Sequence, residues 1–495
     1  MTDRISKPRQ RKKRETKGPI VIPDDNSQES PAKEPTLAGA TSDPTATSSA
    51  LQVAHSPGRK PVFDEWTELE ADEAIAAIRY QYKFPTMYQP PKAVPEALDV
   101  AFISHFVQLN KGIRSYSPEI PWITHLPEMH VQASKPALRL SIRSASMAFY
   151  ATVHKDPAIL VDSYRWYTMS LNCQRQTLAR LTSNSMPSEE EILVPIILAL
   201  YEVYAGTTQT SVFHHLAAST KILEMRGPSN CKGLAFPLFK SMRISDAHKA
   251  MVFNQPSVFS TPEWMTVPFE GQLKNAHQYL TDILLVIPDC MGLCKISGSM
   301  RSFLSRPIPS HVDLKPVQER AKQLLQQLDD WVAKNPHLLK VATGPQVVTA
   351  DMGSPATSGA SADAPTKSTL ILPEGFIALT AATYESIRLI LSLLLDKVSP
   401  REPSVSSVDP NTPPEANVPT LIDTASMCAN SILEITSYLE STHPIGFDFM
   451  RSVFPLAVVA LVAPRMEQQK RAQQMLERWG RKRGMAGLTS AWLHI

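Results

Sequence analysis

The chain has 495 residues, enough for one large domain or two with tails to spare. A net charge of +3 gives the body no field that would draw it onto nucleic acid or an acidic membrane, while 43% apolar residues suffice for a sizeable core. With 42 Pro against 18 Gly, the chain lacks the glycine turns of strand-rich folds and fits helices punctuated by Pro and joined by extended linkers.

Residues 1–17 carry Arg4, Lys7, Arg9, Arg11, Lys12, Lys13, Arg14 and Lys17 against Asp3 and Glu15. Residues 18–60 are rich in Pro, Ser, Thr and Ala. Such a stretch buries too little apolar surface to offset its ordering entropy, so 1–60 is expected to be a disordered tail, basic and then polar. From Phe63 onward helical periodicity sets in, and 61–495 reads as one helical domain. Leu138, Ile142, Ala145, Phe149 and Val153 form one helical stripe. Asp156-Pro157 ends that helix and caps the next, whose apolar positions include Leu160, Tyr164, Tyr167, Leu171, Leu178 and Leu181. Ser188 followed by Glu191 has capping-box spacing and opens a third helix through Ile192, Ile196, Ile197, Leu200 and Tyr204. Pro195 inside this run predicts a kink or a late start.

A fourth helix spans about 211–225 and stops at Gly227-Pro228, Gly taking the left-handed cap and Pro blocking continuation. Further helices are expected at about 271–287, 314–334, 373–396, 419–440, 447–462 and 465–480. Low-complexity stretches at about 342–368 and 399–418 read as disordered insertions, tolerable because closure entropy grows only by ~0.6 kcal/mol per doubling of loop length. The expected fold is all-α, an irregular multi-helix bundle or array.

The N-terminus is too polar for a signal peptide. The most conspicuous apolar run, 452–463, contains Pro455 and falls short of the roughly 20 residues that a membrane span needs. Cys173, Cys231, Cys290, Cys294 and Cys428 are scattered and odd in number, which points to reduced thiols in an intracellular compartment. Cys290 and Cys294 stand at i, i+4 and would serve a metal only with two ligands from elsewhere; beside the apolar run 283–287 they read as core thiols. His214 and His215, adjacent on a helix, point about 100° apart and do not converge on one ion. One is expected against the core and the other partly exposed.

No phosphate loop, nucleophile elbow, dinucleotide fingerprint or H-E-x-x-H is present. The carboxylate clusters Glu189-Glu190-Glu191 and Asp329-Asp330 are expected on helix surfaces. The residues therefore predict no enzyme, no cofactor and no metal site. The one clear charged feature is Arg9, Arg11, Lys12, Lys13 and Arg14, suited to nuclear import or non-specific phosphate contact. Without interleaved aromatics or helix periodicity it is not built for sequence-specific readout.

The segments 141–157 (SIRSASMAFYATVHKDP), 188–206 (SEEEILVPIILALYEVYAG), 214–228 (HHLAASTKILEMRGP) and 239–264, ending QPSVFSTPEW, occur in an order that resembles the fungal-specific transcription factor domain of the second type. The resemblance covers roughly 100–490 and is strongest across 137–265. In that family the helical domain follows a six-cysteine binuclear zinc cluster. This chain departs from the pattern: it has no C-x2-C-x6-C array, and its first cysteine is Cys173. The basic N-terminus resembles the linker that follows the cluster, which leaves a lost first exon or a cluster-less paralogue as explanations. The resemblance implies a nuclear regulator acting through protein partners, dimerisation with a cluster-bearing factor among them, with indirect or non-specific DNA contact and no membrane. The alternative is a helical ligand-binding or scaffold protein with no role at DNA.

Overall fold

The computed structural model describes residues 95–111, 121–180, 185–339, 375–399, 419–442 and 446–493, all within the unit Pro61–Ile495. The predicted tail and, apart from Ser399, both predicted insertions lie outside the described residues. Every regular element described is helical, with no strand, and the fold is all-α.

Helix α1 is Pro95–Lys111, α2 Leu126–Gln132, α3 Pro136–His154 and α4 Pro157–Ala179. Leu138, Ile142, Ala145 and Phe149 of the predicted stripe are buried in α3, whereas Val153, the last residue but one of the helix, is 39% exposed. The joint to α4 is compact. Lys155 takes the left-handed conformation, and the Asp156 carboxylate accepts from the backbone N–H of Ala158 (3.0 Å) and Ile159 (3.2 Å).

Helix α5 (Glu189–Ala205) opens at its capping box, the Glu191 carboxylate accepting from the Ser188 backbone N–H at 2.7 Å and the Glu191 N–H donating to the Ser188 hydroxyl at 3.4 Å. It therefore does not start late, and it runs through Pro195 without interruption. Proline leaves the carbonyl four residues back without its helical donor. Here that carbonyl, on Glu191, accepts from Gln174 Nε2 of α4 at 3.1 Å, so a neighbouring helix supplies the missing bond. An expected consequence is non-additivity. Pro195→Ala should gain about 1 kcal/mol more in a Gln174→Met background than in the parent, because only there does the new N–H meet a bare carbonyl. Urea unfolding of the four proteins measures this, and additive free energies would refute it.

Helix α6 (Ser211–Arg226) ends at Gly227 as expected, but not in the left-handed helical cap. Gly227 has φ 79° and ψ 157°, a region essentially confined to glycine, and leads into the 3₁₀ turn Pro228–Asn230. The glutamate triplet corrects the sequence reading more deeply, since its members are clasps rather than surface decoration. Glu189 accepts from Arg226 Nη2 at 2.6 Å. Glu190 accepts from the backbone N–H of Ser134 (2.9 Å) and Lys135 (3.0 Å) at the entry to α3. Glu191 is buried and ion-paired with Lys135. Asp329 and Asp330 do remain exposed.

The chain continues through α7 (Ala235–Phe253), α8 (Pro262–Thr266), α9 (Ala276–Gly292), α10 (Met300–Ser305) and α11 (Lys315–Lys334). It then forms α12 (Gly375–Val398), α13 (Leu421–Thr442), α14 (Phe447–Arg451), α15 (Val453–Val462), α16 (Met466–Arg483) and α17 (Ala486–Leu493). By length and composition α12 matches a membrane span, which the sequence reading, fixed on 452–463, overlooked. Its apolar window is 83% buried against other helices, the setting of a core helix.

The packing order explains the architecture. α3 lies on α1, α4 and α5; α5 then meets α6, α6 meets α7, α7 meets α9, and α9 meets α11 and α12. From α12 the contacts pass to α13, then to α15 and α16, and finally to α17, which packs back on α5 and α6. The array thus closes on itself, with α5 at the seam. Every residue of α5 from Glu191 to Tyr204 is buried, as a helix enclosed on all sides must be. The closure needs glycine: a Cβ on Gly487 would sit 1.9 Å from the Glu202 carbonyl oxygen.

Candidate functional site

Two polar features lie on either side of α5. The first joins α4, α5 and α6. Glu202 is 0% exposed, a costly place for a carboxylate unless it is hydrogen-bonded. It accepts from the Thr207 backbone N–H (2.9 Å) and hydroxyl (2.7 Å). It also bonds the Tyr167 hydroxyl, whose other neighbour is His215 Nε2 at 3.0 Å. The donors match in one way: Tyr167 donates to the carboxylate, so His215 must donate its Nε2–H to the Tyr167 oxygen. Burial, above all, pushes the Tyr167 hydroxyl pKa well up, and pushes His215 down to about 4, the latter against the attraction of Glu202. Tyr201 stacks on Tyr167 with centroids 4.2 Å apart. With its donors and acceptors matched, this arrangement has the character of a structural network. His214, on the same helix, is exposed, so the pair divides as helix geometry requires.

The second feature is a half-open cavity of about 100 Å³ lined by α5, α6, α7, α14, α15 and α17, with Trp122 beside them. One wall is apolar, with Ala199, Leu200, Val203, Leu216 and Leu488 among its members. The polar part of the lining comes from α7 and α14. Ser241, Ser245 and His248 fall at i, i+4 and i+7, one face of α7, and Arg451 joins them from α14. Arg451 Nη2 donates to the Ser241 hydroxyl at 2.9 Å. Phe454 of α15 stacks flat on His248, centroids 3.9 Å apart and rings inclined by 3°. Burial, reinforced by His277 and Arg451, holds the His248 pKa well below the ordinary range, so the ring is neutral. No carboxylate is among the described residues that line this space. Sequence reading missed the site. The stripe on α7 was a legible signal, but Arg451 lies 210 residues beyond Ser241.

The remaining sequence candidates separate from both features. Cys290 and Cys294 are buried free thiols. Cys290 donates to the Val317 carbonyl at 3.7 Å, and burial pushes its pKa up to about 11. α9 ends at Gly292, so the two do not share a helical face. Among the described residues, no group of three or more His, Cys, Asp or Glu is placed to hold a metal ion. Arg9, Arg11, Lys12, Lys13 and Arg14 lie outside the described residues. Protein-family models, curated proteins and solved structures were each compared with the chain, and none matches.

Proposed function

We propose that this chain is a nuclear transcriptional regulator that works through its helical body, binding protein partners and reaching DNA through a partner that carries a zinc cluster. The observation that carries this reading is where the four resembling segments fall. Residues 141–157, 188–206, 214–228 and 239–264 map onto α3, α5, α6 and α7–α8, and α3, α5, α6 and α7 pack in succession. A common order of motifs thus coincides with one folded block, as expected of a shared domain. The basic run supplies the means of entering the nucleus. In this reading the protein has no catalytic role.

The test is localisation of tagged full-length protein. Replacing Arg11, Lys12, Lys13 and Arg14 by Ala should abolish nuclear accumulation and leave the melting temperature unchanged. A parent protein that stays in the cytosol and never associates with chromatin would overturn the reading. The cavity beside α5 favours a second reading, a helical ligand-binding protein without a role at DNA. Ligand binding together with absence from chromatin would select it.

A further inference from the structure

We propose that His105 of α1 and His154 of α3 form a zinc site, two imidazole nitrogens binding the ion and water filling its remaining positions. This goes beyond the regulatory reading and does not depend on it.

The spacing comes first. His154 Nε2 stands 3.2 Å from His105 Nε2, where the exposed end of α3 packs against α1. Two imidazoles bound to one tetrahedral zinc ion at roughly 2.0–2.1 Å place their nitrogens about 3.3 Å and their ring centroids about 5.2 Å apart. The centroids here are 5.1 Å apart. A linear N–H···N bond of the observed length would hold them at about 5.5 Å, so the two rings do not meet head-on.

The rings are also held in place. His105 meets Tyr150 edge-on with centroids 5.1 Å apart, and His154 lies against the same tyrosine at 4.2 Å. Phe102 and Phe106 of α1 pack on Tyr150 and Phe149 of α3, at 5.0 and 5.1 Å, and set the distance between the two helices. An ion would find its ligands preformed across a helix pair, with little side-chain freedom left to lose. A ligating imidazole must be neutral, and burial lowers the His105 pKa, with His154 adding to the effect. Without metal the pair shares one Nε2–H. Binding moves that proton to Nδ1 of the same ring, so both Nε2 lone pairs face the ion and no net proton is released. Imidazole suits zinc, whereas magnesium and calcium take oxygen ligands. His105 Nδ1 is buried with no hydrogen-bond partner among the described residues, so the outer acceptor that usually strengthens a ligating histidine is missing and the affinity is modest.

The experiment titrates chelator-stripped full-length protein with zinc chloride at pH 7.0, followed by calorimetry. One-to-one binding is expected, with a Kd on the order of 10–100 µM for two protein ligands rather than four. Magnesium and calcium chloride should not bind at the same concentrations. His154→Ala, at an exposed position, should weaken zinc binding at least tenfold with the helical circular dichroism unchanged. His214→Ala, also exposed, should leave it as in the parent. Zinc should slow amide hydrogen exchange in α1 of the parent and not of His154→Ala, because the ion ties α1 to α3. Absence of saturable zinc binding up to ten times the weakest expected Kd overturns the proposal. Binding that His154→Ala leaves unchanged places the ion on other groups, the thiols among them, and also overturns it. Equal affinity for calcium or magnesium refutes ligation by imidazole.

Discussion

Gly487→Ala is expected to destabilise the protein by about 3 kcal/mol or more, the upper range for forcing an extra carbon into a filled core. Elsewhere in a helix the same change gains up to ~1 kcal/mol, because alanine restricts the unfolded chain and prefers the helix. What reverses the sign is the neighbour. The new Cβ would stand 1.9 Å from the Glu202 carbonyl oxygen and 2.8 Å from Gly206 Cα. Both are backbone atoms and cannot rotate away. Gly206 is itself held at φ 59° as the cap of α5, so the two glycines define the closest approach of α17 to α5. Gly292, at the end of α9, is the matched control, because a Cβ added there would meet nothing within 4 Å. Gly292→Ala should be neutral or slightly stabilising. Urea midpoints for the two variants that move together would show that closure of the array does not rest on this contact. The Gly487→Ala variant should also release α17, so new protease sensitivity is expected between 486 and 493.

The features legible in the sequence are those whose physics is complete within a few residues. Asp156-Pro157 and Ser188 with Glu191 satisfy backbone donors of their own helix, and both act as read. The helices expected at about 314–334, 373–396, 419–440 and 465–480 are found at Lys315–Lys334, Gly375–Val398, Leu421–Thr442 and Met466–Arg483, because a helix with a covered face repeats its apolar residues. Pro95–Lys111 and Ala235–Phe253 were not among the helices read. Failures began where a partner comes from far along the chain. Glu189, Glu190 and Glu191 look like ordinary first-turn acids until the fold brings Arg226 and the start of α3 to them. Pro195 suggested a kink or a late start, and Gln174, which supplies the donor that proline lacks, lies on another helix. The cavity depends on α7, α14 and α17 meeting at α5, and no local pattern encodes that meeting. Gly206 and Gly487 carry no signal of their own proximity. Only the α7 stripe of Ser241, Ser245 and His248 was available beforehand, and its spacing matches no metal or catalytic motif.

Lowering the pH should destabilise the protein from about pH 6.5 downward, well above the range where carboxylates ordinarily titrate. The cause is buried neutral histidine. His215 is pushed down to about 4, by burial first, while an unfolded chain protonates it near 6.5. Between those values the unfolded state binds the proton and the folded state does not, so stability falls as pH falls. Its contribution is fully present above pH 6.5 and is lost by about pH 4. The difference of about two and a half pH units corresponds to about 3 kcal/mol. His130, pushed down to about 4 chiefly by burial, and His248, fully enclosed under Phe454, act in the same direction, as does His105, and together they should give a slope of roughly 4 kcal/mol per pH unit. The carboxylates behave differently. Burial works against the charged form of Glu191 and Glu440, but hydrogen bonds, chiefly from Lys135 and Arg478, outweigh it and hold both pKa values below the usual range. Their contribution is present above about pH 4.5 and is lost only below it. Onset therefore separates the two classes. Urea unfolding at intervals from pH 7.5 to 4.5 should show midpoints falling through the histidine window. His215→Gln keeps an N–H donor toward Tyr167 while removing the titrating group, and should reduce that slope by one proton's share, about 1.4 kcal/mol per pH unit. A flat profile between pH 7 and 5, or an unchanged slope in His215→Gln, would mean that the ring is not buried against Tyr167 and Glu202 as the network requires.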